Sequence, residues 1–161
     1  FACGDAFLPE LVMAGEAMKA AVSVLEPEMA RRGAHRQMYG KVVLATVEGD
    51  IHEIGKSLVG TMLSASGFEV FDLGVDAATA KIVAKAKEVG ADIVALSALL
   101  TTTMVKQKEV IEALKAAGLP CKVMVGGAPV TREWVMRIGA HGYSEDAIGA
   151  VQVAKQLVDA A

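Results

Sequence analysis

The sequence predicts a doubly wound α/β fold: a five-stranded parallel sheet with helices on both faces, preceded by a separate helical segment. Three observations predict it. From Lys41 onward, short β-branched apolar runs alternate with amphipathic helical stretches. The runs are continuously apolar rather than alternating, the pattern of strands buried on both faces. Finally, Gly67, Gly90, Gly118 and Gly139 each follow a helical stretch, where a left-handed cap favours glycine.

The candidate strands are Lys41–Val47, Glu69–Leu73, Asp92–Leu96, Lys122–Val125 and a short one near His141–Tyr143. Helical stretches fall near Gly55–Ser66, Ala78–Val89, Met104–Ala117, Arg132–Ile138 and Asp146–Ala160. Five βα repeats of this kind favour the flavodoxin-like strand order 2-1-3-4-5. The first ~36 residues differ in pattern. Leu8, Leu11, Gly15, Met18, Val22, Leu25 and Met29 recur at intervals of three and four, the seam of a helix that packs on other helices. Pro9 suits its first turn, and Pro27 is expected to break or kink it. Such a seam needs a cover. It either folds back on the α/β part or is the remnant of a helical bundle, and the start at Phe1 favours the remnant. Gly33–Gly40 reads as the linker.

Composition narrows the function. Of 161 residues, 53% are hydrophobic and 22% charged, so a sizeable core can form and disorder is excluded. Sixteen Lys and Arg against 19 Asp and Glu give a net charge of −3, which offers no electrostatic basis for binding nucleic acid or an acidic membrane. The longest apolar stretch, Ile93–Leu100, is interrupted by Ser97 and falls far short of the ~18 residues that span a bilayer. Cys3 and Cys121 form no CxxC, the usage of a reduced, cytoplasmic protein.

In open parallel sheets, ligands bind at the carboxyl ends of the strands, where strand order reverses. The unusual residues of this chain gather there. Glu48–Gly55 (EGDIHEIG) follows the first strand, Ser97–Thr103 (SALLTTT) the third, and Gly126–Pro129 (GGAP) the fourth. His52 offers an imidazole, the commonest transition-metal ligand, and Asp50 could hold its second nitrogen if the loop turns back. A hydroxyl from the third-strand loop could orient the Asp. Taken singly, each signal has a plainer reading. His52 could be an ordinary exposed loop residue with Asp50 capping the next helix. Ser97 could satisfy a nearby carbonyl, and Gly126 and Gly127 could serve a turn. Their shared register, on three strands at one end of one sheet, describes a deep slot with a metal ligand at its mouth.

Asp50-Ile51-His52-Glu53-Ile54-Gly55 resembles the D-x-H-x-x-G signature of cobalamin-binding domains; Ser97-Ala98-Leu99 is similar to their S-x-L element, and Gly126-Gly127 to their paired glycines. The surrounding text (SALLTTTM, VGGAPVT, GAHGYSEDA) looks closest to the corrinoid proteins of methanol- and methylamine-type methyltransferase systems, related to the cobalamin module of methionine synthase. The resemblance implies that residues 41–161 form a cobalamin-binding domain. It also implies that residues 1–36 are a partial, truncated helical cap, since Leu11–Met18 (LVMAGEAM) resembles the last part of that cap.

The resemblance further implies that the cofactor, methylcobalamin or cob(I)alamin, binds with its nucleotide tail buried in the slot. His52 becomes the lower ligand to cobalt, with Asp50 and Thr103 continuing the relay. Ser97 and Thr101 match positions that contact the tail, and Gly126 and Gly127 those that make room for it. Ile51, Ile54, Gly55 and Leu99 belong to the same elements, and Tyr143 and Ser144 are candidate wall residues. The function implied is a carrier that shuttles a methyl group on cobalt, not a complete enzyme alone. Its partners would be a substrate-specific methyltransferase, a second methyltransferase delivering to tetrahydrofolate or a thiol, and a reductive activator. A cobalamin-binding sensor or a mutase cobalamin subunit is the alternative, but a mutase uses a barrel domain and a regulator a DNA-binding module, and neither is visible. Outside this family, a receiver domain would need an acceptor Asp where Ser97 stands, a flavodoxin a hydroxyl-rich phosphate loop after the first strand, and a dinucleotide site a G-x-G-x-x-G there. A catalytic zinc site would need a second His near His52.

Overall fold

The computed structural model describes residues 7–31 and 38–159. Helix α1 (Leu8–Arg31) is followed by β1 (Gly40–Thr46), α2 (Ile54–Ala65), β2 (Phe68–Asp72), α3 (Thr79–Val89), β3 (Ile93–Ser97), α4 (Thr101–Ala116), β4 (Lys122–Gly126), α5 (Arg132–Ile138), β5 (Gly142–Tyr143) and α6 (Ala147–Asp159). The strands form one parallel sheet in the order β2-β1-β3-β4-β5, as the sequence predicts. The order reverses between β1 and β3, whose ends meet in the register Thr46 to Ser97, and Ser97 in turn faces Gly126 of β4. The loops after β1, β3 and β4 therefore converge on one rim.

The apolar runs bury both faces of the sheet. On one face Val43, Ala45, Val94, Leu96, Val123 and Val125 pack with Ile82 of α3, Val110, Ile111 and Leu114 of α4, and Ile138 of α5. On the other, Val42, Leu44, Ile93, Ala95 and Met124 pack with Leu63 of α2 and Ala150, Val151 and Ala154 of α6. The lower part of α2 lies close to the sheet because Gly60 presents no side chain: a Cβ there would stand 2.9 Å from a Leu44 methyl. Gly90 and Gly139 end α3 and α5 in the left-handed conformation, as their positions lead one to expect.

Two expectations are refined. Of the break or kink expected at Pro27, the break does not occur: α1 runs through it. The proline removes one hydrogen bond to the preceding turn, and because Pro27 is exposed, water can serve the carbonyl left over. Helix α4 begins at Thr101 rather than near Met104, so all three threonines lie in its first turn. The cause is Leu100, whose carbonyl accepts the N–H groups of Thr103 and Met104 and the Thr103 hydroxyl.

Helix α1 packs on α2 where Gly15 meets Thr61 so closely that a Cβ at Gly15 would overlap the Thr61 methyl, at 2.2 Å. Elsewhere along its length it exposes Val12, Met13, Met18, Val24 and Leu25. The expected linker lies mostly outside the described residues, as do Cys3 and the last helical residue, Ala160. No helix among the described residues is long and apolar enough to cross a membrane.

Candidate functional site

The loop leaving β1 folds back so that one carboxylate gathers four donors. Asp50 is 0% exposed. Its Oδ1 accepts the His52 backbone N–H at 3.1 Å and faces His52 Nδ1 at 2.7 Å. Its Oδ2 accepts the Leu99 N–H at 2.8 Å and the Thr103 hydroxyl at 2.6 Å. Burial pushes the Asp50 carboxyl upward, but the hydrogen bonds from Thr103, Leu99 and His52 outweigh it and hold the group well below the ordinary carboxylate range. An ionised carboxylate can only accept, so the ring proton sits on Nδ1 and Nε2 is the nitrogen free to act as a ligand. The His52 side chain remains 47% exposed. Its backbone carbonyl is pinned from below by the buried Thr46 hydroxyl at 2.8 Å.

Beside the imidazole a cavity of about 990 Å³ runs down between the sheet and helices α2 and α6. That is the top of the ~300–1,000 Å³ range of small-molecule sites and far beyond a packing defect. Leu44, Ala95 and Met124 form its floor, Leu58 and Val59 one side, and Ala147, Ile148 and Ala150 the other. The upper rim is stripped of side chains. A Cβ on Gly127 would lie 1.7 Å from the Ala98 carbonyl oxygen, and its φ of +125° disfavours any other residue. Gly126 keeps the wall thin opposite the Ser144 carbonyl, which a Cβ there would meet at 3.7 Å. Around the mouth, Ile51 and Ile54 are 75% and 71% exposed, with Leu99 and Leu100 beside them. Apolar side chains left in water around a half-exposed imidazole form an apron that a broad, largely apolar molecule could cover.

Of the residues expected from sequence, Ile51, His52, Ile54, Gly55, Ser97, Leu99, Gly126, Gly127, Tyr143 and Ser144 all line this cavity. Asp50 and Thr103 do not line it; they stand behind His52, hydrogen-bonded to each other. Thr101 does not line it either: it is exposed in the first turn of α4. The structure therefore separates Thr101 from the tail slot to which the resemblance would assign it.

Several residues escaped the sequence reading. Gln107 is fully buried and braces the ends of β3 and β4 by donating to the carbonyls of Leu96 and Gly126, at 3.3 and 3.1 Å, while accepting Trp134 Nε1. Lys56 is buried in an ion pair with Asp72, which ties α2 to the end of β2. Asp76 binds the loop before His52 through Gly49 and Asp50. Only Lys56 had a usable signal, its place directly after the D-x-H-x-x-G element. Among the described residues no three His, Cys, Asp or Glu side chains converge on a metal.

The comparisons with known proteins agree with this geometry. Residues 40–152 match the B12 binding domain family. The chain is 52% identical over 160 residues to trimethylamine corrinoid protein 2 of Methanosarcina acetivorans, covering 98% of this chain and 74% of that one. Among solved structures it is similar to a cobalamin-binding protein from Desulfitobacterium hafniense, with 43% identity, a TM-score of 0.83, and coverage of 98% of this chain and 74% of that one. It is also similar to a chain of the methanol:cobalamin methyltransferase complex from Methanosarcina barkeri, with 31% identity, a TM-score of 0.86, and coverage of 98% and 60%. With its sequence relatives, its sheet order and a slot of this depth pointing the same way, the chain belongs to the B12-binding domain family.

Proposed function

We propose that this chain is a corrinoid carrier: it holds cobalamin with His52 as the lower ligand to cobalt and carries a methyl group between two methyltransferases. One observation supports the reading above the rest. The four-donor cradle around Asp50 commits Nδ1 of His52 and leaves Nε2 at the mouth of an apolar slot. The slot has the size and lining to take the cofactor's nucleotide tail: about 990 Å³ over an apolar floor of Leu44, Ala95 and Met124, with Gly126 and Gly127 at its rim.

When bound, the cofactor supplies the methyl-transfer chemistry at cobalt. The protein's part is ligation, orientation and exclusion of water. Asp50 fixes the tautomer and orientation of the imidazole through the Nδ1 proton, and Thr103 and the Leu99 N–H keep the carboxylate ionised and in place. The same carboxylate would hold the imidazole in one orientation toward the cofactor, with Nε2 as the nitrogen that would meet it. Ser97, Gly126, Gly127, Tyr143 and Ser144, which line the slot, would hold the tail. Thr101, outside the slot, is not assigned to it. The exposed apolar residues of α1 are read as part of a cover for the outer face. The donor-side partner is a methyltransferase acting on a methylamine or methanol, and the acceptor-side partner delivers to a thiol or to tetrahydrofolate. A reductive activator would restore the reduced metal.

The test is a titration with hydroxocobalamin and cob(II)alamin followed by absorbance and electron paramagnetic resonance. Tail-displaced binding with one axial nitrogen from the protein is expected. His52→Ala should lose that nitrogen while retaining some corrinoid, and an unchanged spectrum would remove His52 from its role. The shuttle itself is tested by supplying methylamine- or methanol-specific methyltransferases with their substrates. If the bound cofactor remains unmethylated with every one of them, the carrier reading fails.

A further inference from the structure

We propose that Asp76, in the loop after β2, is a positioning residue for His52. The inference rests on the ligand role given to His52 above, but the geometry behind it belongs to the protein alone. Strand β1 ends at Thr46, and the segment that presents Asp50 and His52 lies beyond the sheet's regular pairing. What runs beside it is the segment Gly74–Ala77. Thr46 N–H donates to the Gly74 carbonyl, Ala77 N–H donates to the Thr46 carbonyl, and Val47 bridges Ala77. Asp76 carries this contact into the histidine loop. Its backbone N–H donates to the Asp50 carbonyl at 2.8 Å, and its Oδ1 accepts the Gly49 N–H at 2.7 Å. Two consecutive residues, Gly49 and Asp50, the second two positions before His52, are thus held by one residue.

Asp76 adopts an unfavourable conformation to do this. At φ +49° it is the one non-glycine residue with positive φ among the described residues. Asp and Asn tolerate this region better than other side chains, yet it still carries strain, which persists where surrounding bonds over-determine it. Here the left-handed turn lets one residue aim its N–H at Asp50 while its side chain curls back to Gly49. Gly49 itself has φ +81°, a conformation open to glycine in which its N–H meets that acceptor. Because the Asp50 carboxylate meets four donors from three segments, a small shift of its backbone would loosen all of them together.

Three variants separate the parts of this role. Asp76→Asn keeps an acceptor oxygen and tolerance of positive φ, Asp76→Gly keeps the tolerance and loses the acceptor, and Asp76→Ala loses both. The first readout needs no cofactor: solvent exchange of the His52 Nδ1 proton, followed by nuclear magnetic resonance. The second is the fraction of bound cob(II)alamin showing one axial-nitrogen splitting in electron paramagnetic resonance. Asp76→Ala should exchange about fivefold faster and show a ligated-to-free ratio about fivefold lower, the size of one ordinary hydrogen bond lost. Asp76→Gly should fall between Asp76→Ala and the parent, and Asp76→Asn should match the parent.

Ile138→Ala, destabilising through the far face of the sheet, is the control and should leave both readouts unchanged. If Asp76→Ala leaves both unchanged, or moves them no more than Ile138→Ala does, the positioning role is wrong. If the parent protein binds no cob(II)alamin through nitrogen, the ligand role of His52 fails, and the exchange rates still decide whether Asp76 positions the Asp50–His52 pair.

Discussion

On the side of the sheet covered by α3, α4 and α5, Val43, Ala45, Val94 and Leu96 interlock with Ile82, Val110, Ile111 and Leu114. On the side covered by α2 and α6, the same strands present Leu44, Ala95 and Met124, and a cavity of about 990 Å³ stands over them. Strand composition does not cause the difference, since both faces carry aliphatic residues. It comes from the helices. At its lower end α2 closes on the sheet through Gly60, while toward the rim Gly55, Ala147 and Ala150 provide too little side chain to fill the gap. A binding slot can therefore be made by withholding volume at one end of an otherwise ordinary core, while the polar groups that orient the ligand sit in loops beyond the strand ends.

The contrast can be broken most sharply at Gly127. Gly127→Ala would drive a methyl into the Ala98 carbonyl at a strained φ, and denaturant unfolding should show a loss of about 3 kcal/mol or more. A variant with near-parent stability would show that the rim can move aside. Next is Gln107→Ala, which removes the brace beneath that rim and orphans the Trp134 N–H. About 2 kcal/mol should be lost in the same measurement.

The comparison itself is sharpened by a matched pair of strand substitutions. Ala45→Leu overpacks the filled face and should cost about 1–3 kcal/mol. Ala95→Leu enters the cavity and should cost under about 1 kcal/mol, because its added carbons occupy open space. Calorimetric titration should then show cobalamin affinity lowered at least about tenfold by Ala95→Leu. Equal stability costs at the two positions would mean that the two faces are packed alike.

The smallest effect concerns His141, at the opposite end of the sheet from His52. Burial, with Lys122 and Lys115 nearby, pushes the His141 pKa below its ordinary value. The unfolded chain then binds the extra proton first, so stability should fall as pH drops from about 6.5 toward the lowered folded value. His141→Gln should flatten the stability profile over that window and leave it unchanged at higher pH. A parent profile that is already flat there would exclude this contribution.

Much of the candidate site was legible because it depends on short-range chemistry. Asp50 and His52 are two apart, and a loop that turns back is all that is needed to bring carboxylate to imidazole. Ser97 and Gly126 were readable as strand ends, which parallel register places side by side. Thr101 and Thr103 were harder. Their roles depend on where α4 starts, and once Leu100 caps the helix, Thr103 turns inward to Asp50 while Thr101 turns out. Gln107 and Asp76 gave no sign because their partners lie on other elements, and an isolated Gln or Asp carries no pattern that names a partner; Lys56 was marked only by its place after the D-x-H-x-x-G element.

The sequence by itself determined the α/β alternation, the strand order and the rim on which ligand chemistry gathers, because periodicity, cap residues and the chirality of parallel connections act locally or follow general rules. Only the tertiary structure decided that Asp50 is fully buried among four donors, that Pro27 is carried within α1, and that one face is left open between α2 and α6. Those outcomes depend on how far apart packed elements stand and which groups meet across them, and no stretch of the chain contains that distance.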